Sequence, residues 1–237
     1  MSALKVRIKF EKRGNLRFIG HLDLMRYFQK ANRRAGLPIA YSEGFSPHQI
    51  MSFAAPLSMG VESTAEYADF KLTDNARITS EEAVLRMNRE MAEGLKILSF
   101  LRIPDEAGNC MSTMFAADYR VWFPAHPHFL AKEAEELQSA CLELMKKKDI
   151  PVVREGKKGT KEVDIRPMLY RAEADEEGLF FRVAQGSAAN LKPEFAVGAL
   201  EALPGAEFLK QWRPRYIRTE LYDREMRTLE SYGEPLT

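Results

Sequence analysis

His21 and Asp23 stand two residues apart, and Arg26 and Lys30 follow within the next seven. An imidazole that titrates near neutrality can exchange a proton with a ribose hydroxyl or with its leaving oxygen. A cation beside it, Arg26 or Lys30, would offset charge on a phosphorane-like transition state. Those three side chains would suit metal-independent RNA cleavage. The plainer reading is that His21 docks the start of a helix through a hydrogen bond. Asp23 then sits in the first turn, where the helix dipole favours a carboxylate.

Residues 41–48 read YSEGFSPH and offer binding chemistry. Gly44 lets backbone N–H groups approach a ligand closely. Ser42 and Ser46 add hydroxyls, Tyr41 and Phe45 add rings, and His48 adds a ring donor. Such parts suit a phosphate together with a base or another planar ring. The alternative is a loop shaped by Gly44 and Pro47, with Phe45 plugged into the core.

Other reactive types are placed less convincingly. Glu62 and Glu66 are four apart between two strands, where acids usually shape a turn. His126 and His128 flank Pro127 without further ligands, so no metal site is expected. Residues 155–161 (EGKKGTK) present Lys157, Lys158 and Lys161, either to a phosphate backbone or to solvent. Asp164 and Arg166 share one face of a strand, so Arg166 either pairs with Asp164 or faces a ligand. Trp122 and Trp212 read as core or interface residues rather than stacking platforms.

The elements that must hold these groups follow from periodicity. Residues 4–10 alternate, with Leu4, Val6, Ile8 and Phe10 against Lys5, Arg7 and Lys9, which predicts a half-buried strand with a basic outer face. Leu24, Phe28, Ala31 and Ala35 recur at helical spacing and predict a helix over 21–35, closed by Gly36. Strands over 50–55 and 65–72, a helix over 81–93 stopped by Gly94, and a strand over 95–103 complete a β-α-β-β-α-β order. The second half predicts a strand at 114–123, a helix at 127–148 and a strand at 150–154. A hairpin of 163–174 with 178–184, a helix over 191–203 capped by Asn190 and a strand over 208–221 follow. The expected fold class is α+β, with tandem ferredoxin-like domains built on antiparallel sheets. The domains are expected at 1–108 and 109–237, the second one strand richer.

Composition bounds the function. The 237 residues are 45% hydrophobic and 29% charged, which excludes a disordered or low-complexity chain. No apolar run reaches the ~18 residues of a membrane span, so no membrane association is expected. Two cysteines cannot frame a disulfide scaffold, a zinc site or an iron–sulfur cluster, and they fit the cytoplasm. No cofactor is expected. The net charge is +1, yet residues 1–36 hold ten Lys/Arg against two acids. Such asymmetry suits a polyanion-binding face or a solvated helix.

Three stretches occur together: RFIGHLDLMR at 17–26, YSEGFSPH at 41–48 and PLSMGVESTAEY at 56–67. VDIRP at 163–167 and RTELY at 218–222 follow. As a set they resemble a bacterial family of radical SAM-linked proteins, found alone or fused behind cobalamin-binding radical SAM proteins. More distantly, the chain is similar to CRISPR repeat-processing endoribonucleases, which hold RNA across paired ferredoxin-like domains. Some of those cut it with a histidine, and His21 stands in a comparable place; the Gly-rich loop typical near their C-terminus is missing. The resemblance implies an RNA-binding accessory or specificity module that acts with a radical SAM protein in RNA modification or processing. An endoribonuclease using His21, Arg26 and Lys30 is one alternative. A docking domain for a non-nucleic-acid substrate is another. On the leading reading, RNA meets Arg17, Arg33, Arg34, Tyr41, Ser42, Gly44, Phe45, Ser46, His48, Lys157, Lys158 and Arg166. The basic first strand, the first helix and the 41–48 loop would line one groove.

Overall fold

The computed structural model describes residues 4–156 and 159–237. The chain divides into two units, Met1–Met114 with Glu220–Thr237, and Phe115–Thr219. The fold is mixed α+β, and its strand registers are antiparallel.

The first unit begins with β1 (Lys5–Lys12), a 3-10 turn at Gly14–Phe18 and α1 (His21–Arg34). Next come β2 (Met51–Phe53), β3 (Glu62–Lys71), α2 (Ser80–Glu90), β4 (Leu95–Arg102) and the single turn α3 (Cys110–Thr113). β1 lies between β3 and β4, with Ile8 opposite Ala68 and Phe100, and β2 pairs with β3. Alternation decides which side of β1 is apolar. Val6, Ile8 and Phe10 are fully buried in one core with Leu24 and Phe28 of α1 and with Ala83 and Met87 of α2. Phe10 and Phe28 meet at 4.9 Å, and Phe53 closes on Phe28 at 5.3 Å. Thr79 caps α2 by accepting from the Glu82 N–H. The helix ends at Glu90, short of the expected 93. Gly94 then adopts φ +91°, where a Cβ would lie 2.5 Å from the Arg13 carbonyl oxygen.

The second unit holds β5 (Ala116–Trp122), α4 (Ala131–Lys146), β6 (Pro151–Gly156), β7 (Gly159–Asp164), β8 (Leu169–Asp175), β9 (Gly178–Ala184) and α5 (Pro193–Leu200). β10 (Arg215–Tyr222) follows, and from Glu220 onward the chain belongs to the first unit. The strand order is β10-β5-β9-β8, while β6 and β7 pair with each other in a separate two-stranded sheet. Leu137, Cys141 and Leu144 bury the inner face of α4. The strand expected over 163–174 is divided. Asp164 turns the chain by accepting from the Ile150 and Arg166 N–H groups, and Pro167 supplies no ladder donor. The extra feature is therefore a two-stranded hairpin rather than one added strand. The strand expected over 208–221 starts later, because Glu207–Gln211 forms a 3-10 turn and Pro214 precedes β10.

Back in the first unit, β11 (Glu234–Pro235) pairs with β4. The segment leading to it overturns one expectation. The basic face of β1 does not open to solvent. Arg7 is 2% exposed, donates to both Asp69 oxygens at 2.7 and 3.0 Å, and also donates to the Leu229 carbonyl. Lys9 donates to Glu220 at 2.8 Å and to Glu230 at 3.0 Å. The sheet face opposite the helices is thus neutralised by Asp69 of β3 and by Glu220 and Glu230 of the returning chain, and β1 lines no groove with α1.

Candidate nucleic-acid interface

Three exposed cations of the first unit lie together on α1, while Lys71, Arg77, Arg89, Lys96 and Arg102 are exposed elsewhere in it. At ~100° per residue, Arg26, Lys30 and Arg33 fall within about 60° of arc on the side away from Leu24, Phe28 and Ala31. All three are exposed. Arg26 touches the exposed Asp23 at 3.4 Å, a surface pair of little worth. Arg34 turns aside and is held by the Glu90 carboxylate at 2.7 Å.

The 41–48 loop is rooted on the same helix. Asn32, fully buried, donates to the Gln49 side-chain oxygen at 3.0 Å. Gln49 donates in turn to the Gln29 carbonyl at 3.0 Å and to the Tyr41 hydroxyl at 3.3 Å. The loop stem closes between Ser42 and His48. The Ser42 N–H donates to the His48 carbonyl at 2.8 Å, and the His48 N–H donates to the Ser42 hydroxyl at 3.1 Å. The His48 Nδ1 lies 2.9 Å from that hydroxyl. Gly44 sits at φ +106°, and among the described residues no atom lies within 4 Å of where a Cβ would stand. Phe45 beside it is 111% exposed. The alternative of Phe45 plugged into the core does not hold, because the stem ties directly across and leaves Gly44, Phe45, Ser46 and Pro47 outside. Sequence reading misses Asn32 and Gln49, which fix where the loop stands. Its one signal is a polar residue at a helix position of core spacing, four after Phe28. The Asn32 Oδ1 is buried and has no hydrogen-bond partner among the described residues.

The 17–26 and 56–67 stretches converge near the start of α1. The Gly60 N–H donates to the Arg17 carbonyl at 2.9 Å, and Arg17 pairs with Glu62 at 3.6 Å. The Arg17 guanidinium also lies 4.4 Å from the Phe18 ring centre. Arg17 is therefore a positioning residue of this corner. The His21 ring packs edge-on to Phe53 at 5.8 Å. His21, Arg26 and Lys30 do not converge. Arg26 lies ~140° around the helix from His21, and Lys30 lies ~180° around and about 13 Å along the axis. They cannot address one phosphate.

The expected contacts of the second unit separate in kind. Lys157 and Lys158 lie outside the described residues. Arg166 caps α4 by donating to the Met145, Lys147 and Leu169 carbonyls at 2.8, 3.1 and 3.0 Å. Its donors are engaged within the fold. His126 binds Glu133 at 3.0 Å and stacks on Trp212 at 4.3 Å, while no group of three or more metal-ligating residues occurs among the described residues. Cys110 and Cys141 are free and buried, and burial pushes both thiols up to about 12, which disfavours the thiolate.

A cleft of about 680 Å³ opens elsewhere in the first unit, beside Ser52, Lys71, Asp74 and Asn109. Its floor contains Asp69, already bound by Arg7 and by the Cys110 N–H at 2.8 Å. No helix of the described residues is long and apolar enough to cross a membrane. Comparison with curated proteins finds no match. Residues 5–193 match the family model DUF2344, described as an uncharacterized protein conserved in bacteria. That match takes in both units and carries the α1 face and its loop, and the chain belongs to the DUF2344 family.

Proposed function

We propose that this chain is an RNA-binding accessory module that acts beside a radical SAM protein in the cytoplasm. RNA lies along the Arg26–Lys30–Arg33 stripe and against the 41–48 loop. Phe45 carries this reading. A phenylalanine held wholly in water forgoes roughly 1.5–3 kcal/mol of burial, and its stem is ordered by three Ser42–His48 hydrogen bonds. A ring presented in this way beside solvent-exposed cations suits a ligand with both anionic backbone and planar faces. The radical SAM partner rests on the sequence resemblance alone. The cytoplasmic placement is supported by two free, buried cysteines.

We read both units as ferredoxin-like. The orders β4-β1-β3-β2 and β10-β5-β9-β8 support this, since each follows the same path through a β-α-β-β-α-β chain. The β6–β7 hairpin is then an insertion. Such a unit keeps its helices on one sheet face, which leaves α1 free to meet a ligand.

Photo-crosslinking to a 4-thiouridine RNA, followed by peptide mapping, tests the reading. Crosslinks are expected within 21–34 and 41–49. Crosslinks confined to the second unit, or none at low salt, contradict it.

A further inference from the structure

Resting on the RNA reading above, we infer that the α1 face takes single-stranded RNA and rejects duplex. The positions of the exposed rings carry this. Phe45 is free on all sides at the loop tip, and Tyr41 at the root is 49% exposed. Phe18, 54% exposed with the Arg17 guanidinium over its ring, stands before the first turn of α1. Between His21 and Gln29, where the loop is rooted, the helix rises about 12 Å. Rings thus stand before the cationic stripe, at Phe18, and beside it, where the loop is rooted at Gln29 and Asn32. Leu22 and Met59 add exposed apolar surface at the Phe18 end, where Gly60 is held to Arg17.

Cations alone would hold any nucleic acid, because phosphates are the same in single strands and duplexes. Rings discriminate. A paired base keeps both faces stacked inside the helix, whereas an unpaired base offers a face to an aromatic side chain. The acids nearby, Asp23 and Glu43, are exposed and only screen the stripe. The tied stem means that the base of the loop is already ordered when Phe45 stacks.

The test is fluorescence anisotropy with one labelled RNA oligonucleotide, single-stranded or annealed to its complement, at one low salt concentration. The single strand is expected to bind at least about tenfold tighter. Phe45→Ala should weaken the single strand by about 5- to 100-fold. It should leave duplex binding unchanged, and Phe45→Trp should restore the single strand. Phe45 is exposed, so these variants leave the core intact. Equal binding of both forms overturns the inference while the RNA reading stands; no effect of Phe45→Ala overturns the inference and removes from the RNA reading the ring that carries it. Binding of neither form overturns both, and points to a protein ligand for this face.

Discussion

Lys9 and Lys30 carry the same ammonium in different surroundings. Burial opposes the charge on Lys9, but hydrogen bonds to Glu220 and Glu230 outweigh it and hold the pKa above its usual value. Lys30 stands in solvent on α1. Arg7 repeats the first case more deeply, with Asp69 as its partner at 2.7 Å. Removing one member of a buried pair leaves the other charge without compensation. Asp69→Ala strips Arg7 of its carboxylate and the Cys110 N–H of its acceptor. We expect it to cost about 3–5 kcal/mol of stability, read from urea denaturation. A loss within ordinary surface scatter would show that the pair contributes nothing. The same buried setting raises the Tyr67 hydroxyl, through burial and then the adjacent Glu220.

Elements show what the sequence can and cannot tell. The inner side of β1 is legible, because Val6, Ile8 and Phe10 alternate with charge. Its outer side is not, because alternation says nothing of what covers a face. The cover comes from Leu229 and Glu230, more than two hundred residues away along the chain. The 41–48 loop is legible from Gly44 and Pro47, yet its footing is not, since Asn32 looks like any polar helix residue until Gln49 is brought to it. Short 3-10 turns carry no periodicity, so Glu207–Gln211 reads as part of a strand in the sequence. The start of α4 lies four residues beyond the expected one. Glu133 sets it by accepting from the Leu130 N–H at 2.8 Å. The His126 hydrogen bond, then that N–H, hold the Glu133 carboxyl below its ordinary 4.5. A carboxyl lowered in the folded state stabilises fully above the unfolded value and loses this as pH falls through the folded one. Thermal midpoints across the acid range should therefore fall more steeply in the parent protein than in Glu133→Gln. Parallel slopes would remove this pair from the acid sensitivity.

Across the molecule, charge is sorted rather than pooled. Of the ten cations of residues 1–36, Arg7 and Lys9 are neutralised on the sheet face, Arg13, Arg17 and Arg34 pair with Glu11, Glu62 and Glu90, and Arg26, Lys30 and Arg33 form the open stripe on α1. The chain's near-zero net charge conceals this division, and the basic count of the first 36 residues overstates the surface available to a polyanion. The remaining open stripe is small, so binding should be modest and strongly dependent on salt. The most direct measurement is the slope of log affinity against log salt for a single-stranded RNA, in the parent protein and in the Lys30→Ala/Arg33→Ala variant. A cationic stripe that holds phosphates predicts a steep negative slope for the parent, reduced by about 0.7 for each cation removed. A slope unchanged by the double substitution, or an affinity indifferent to salt, would contradict it.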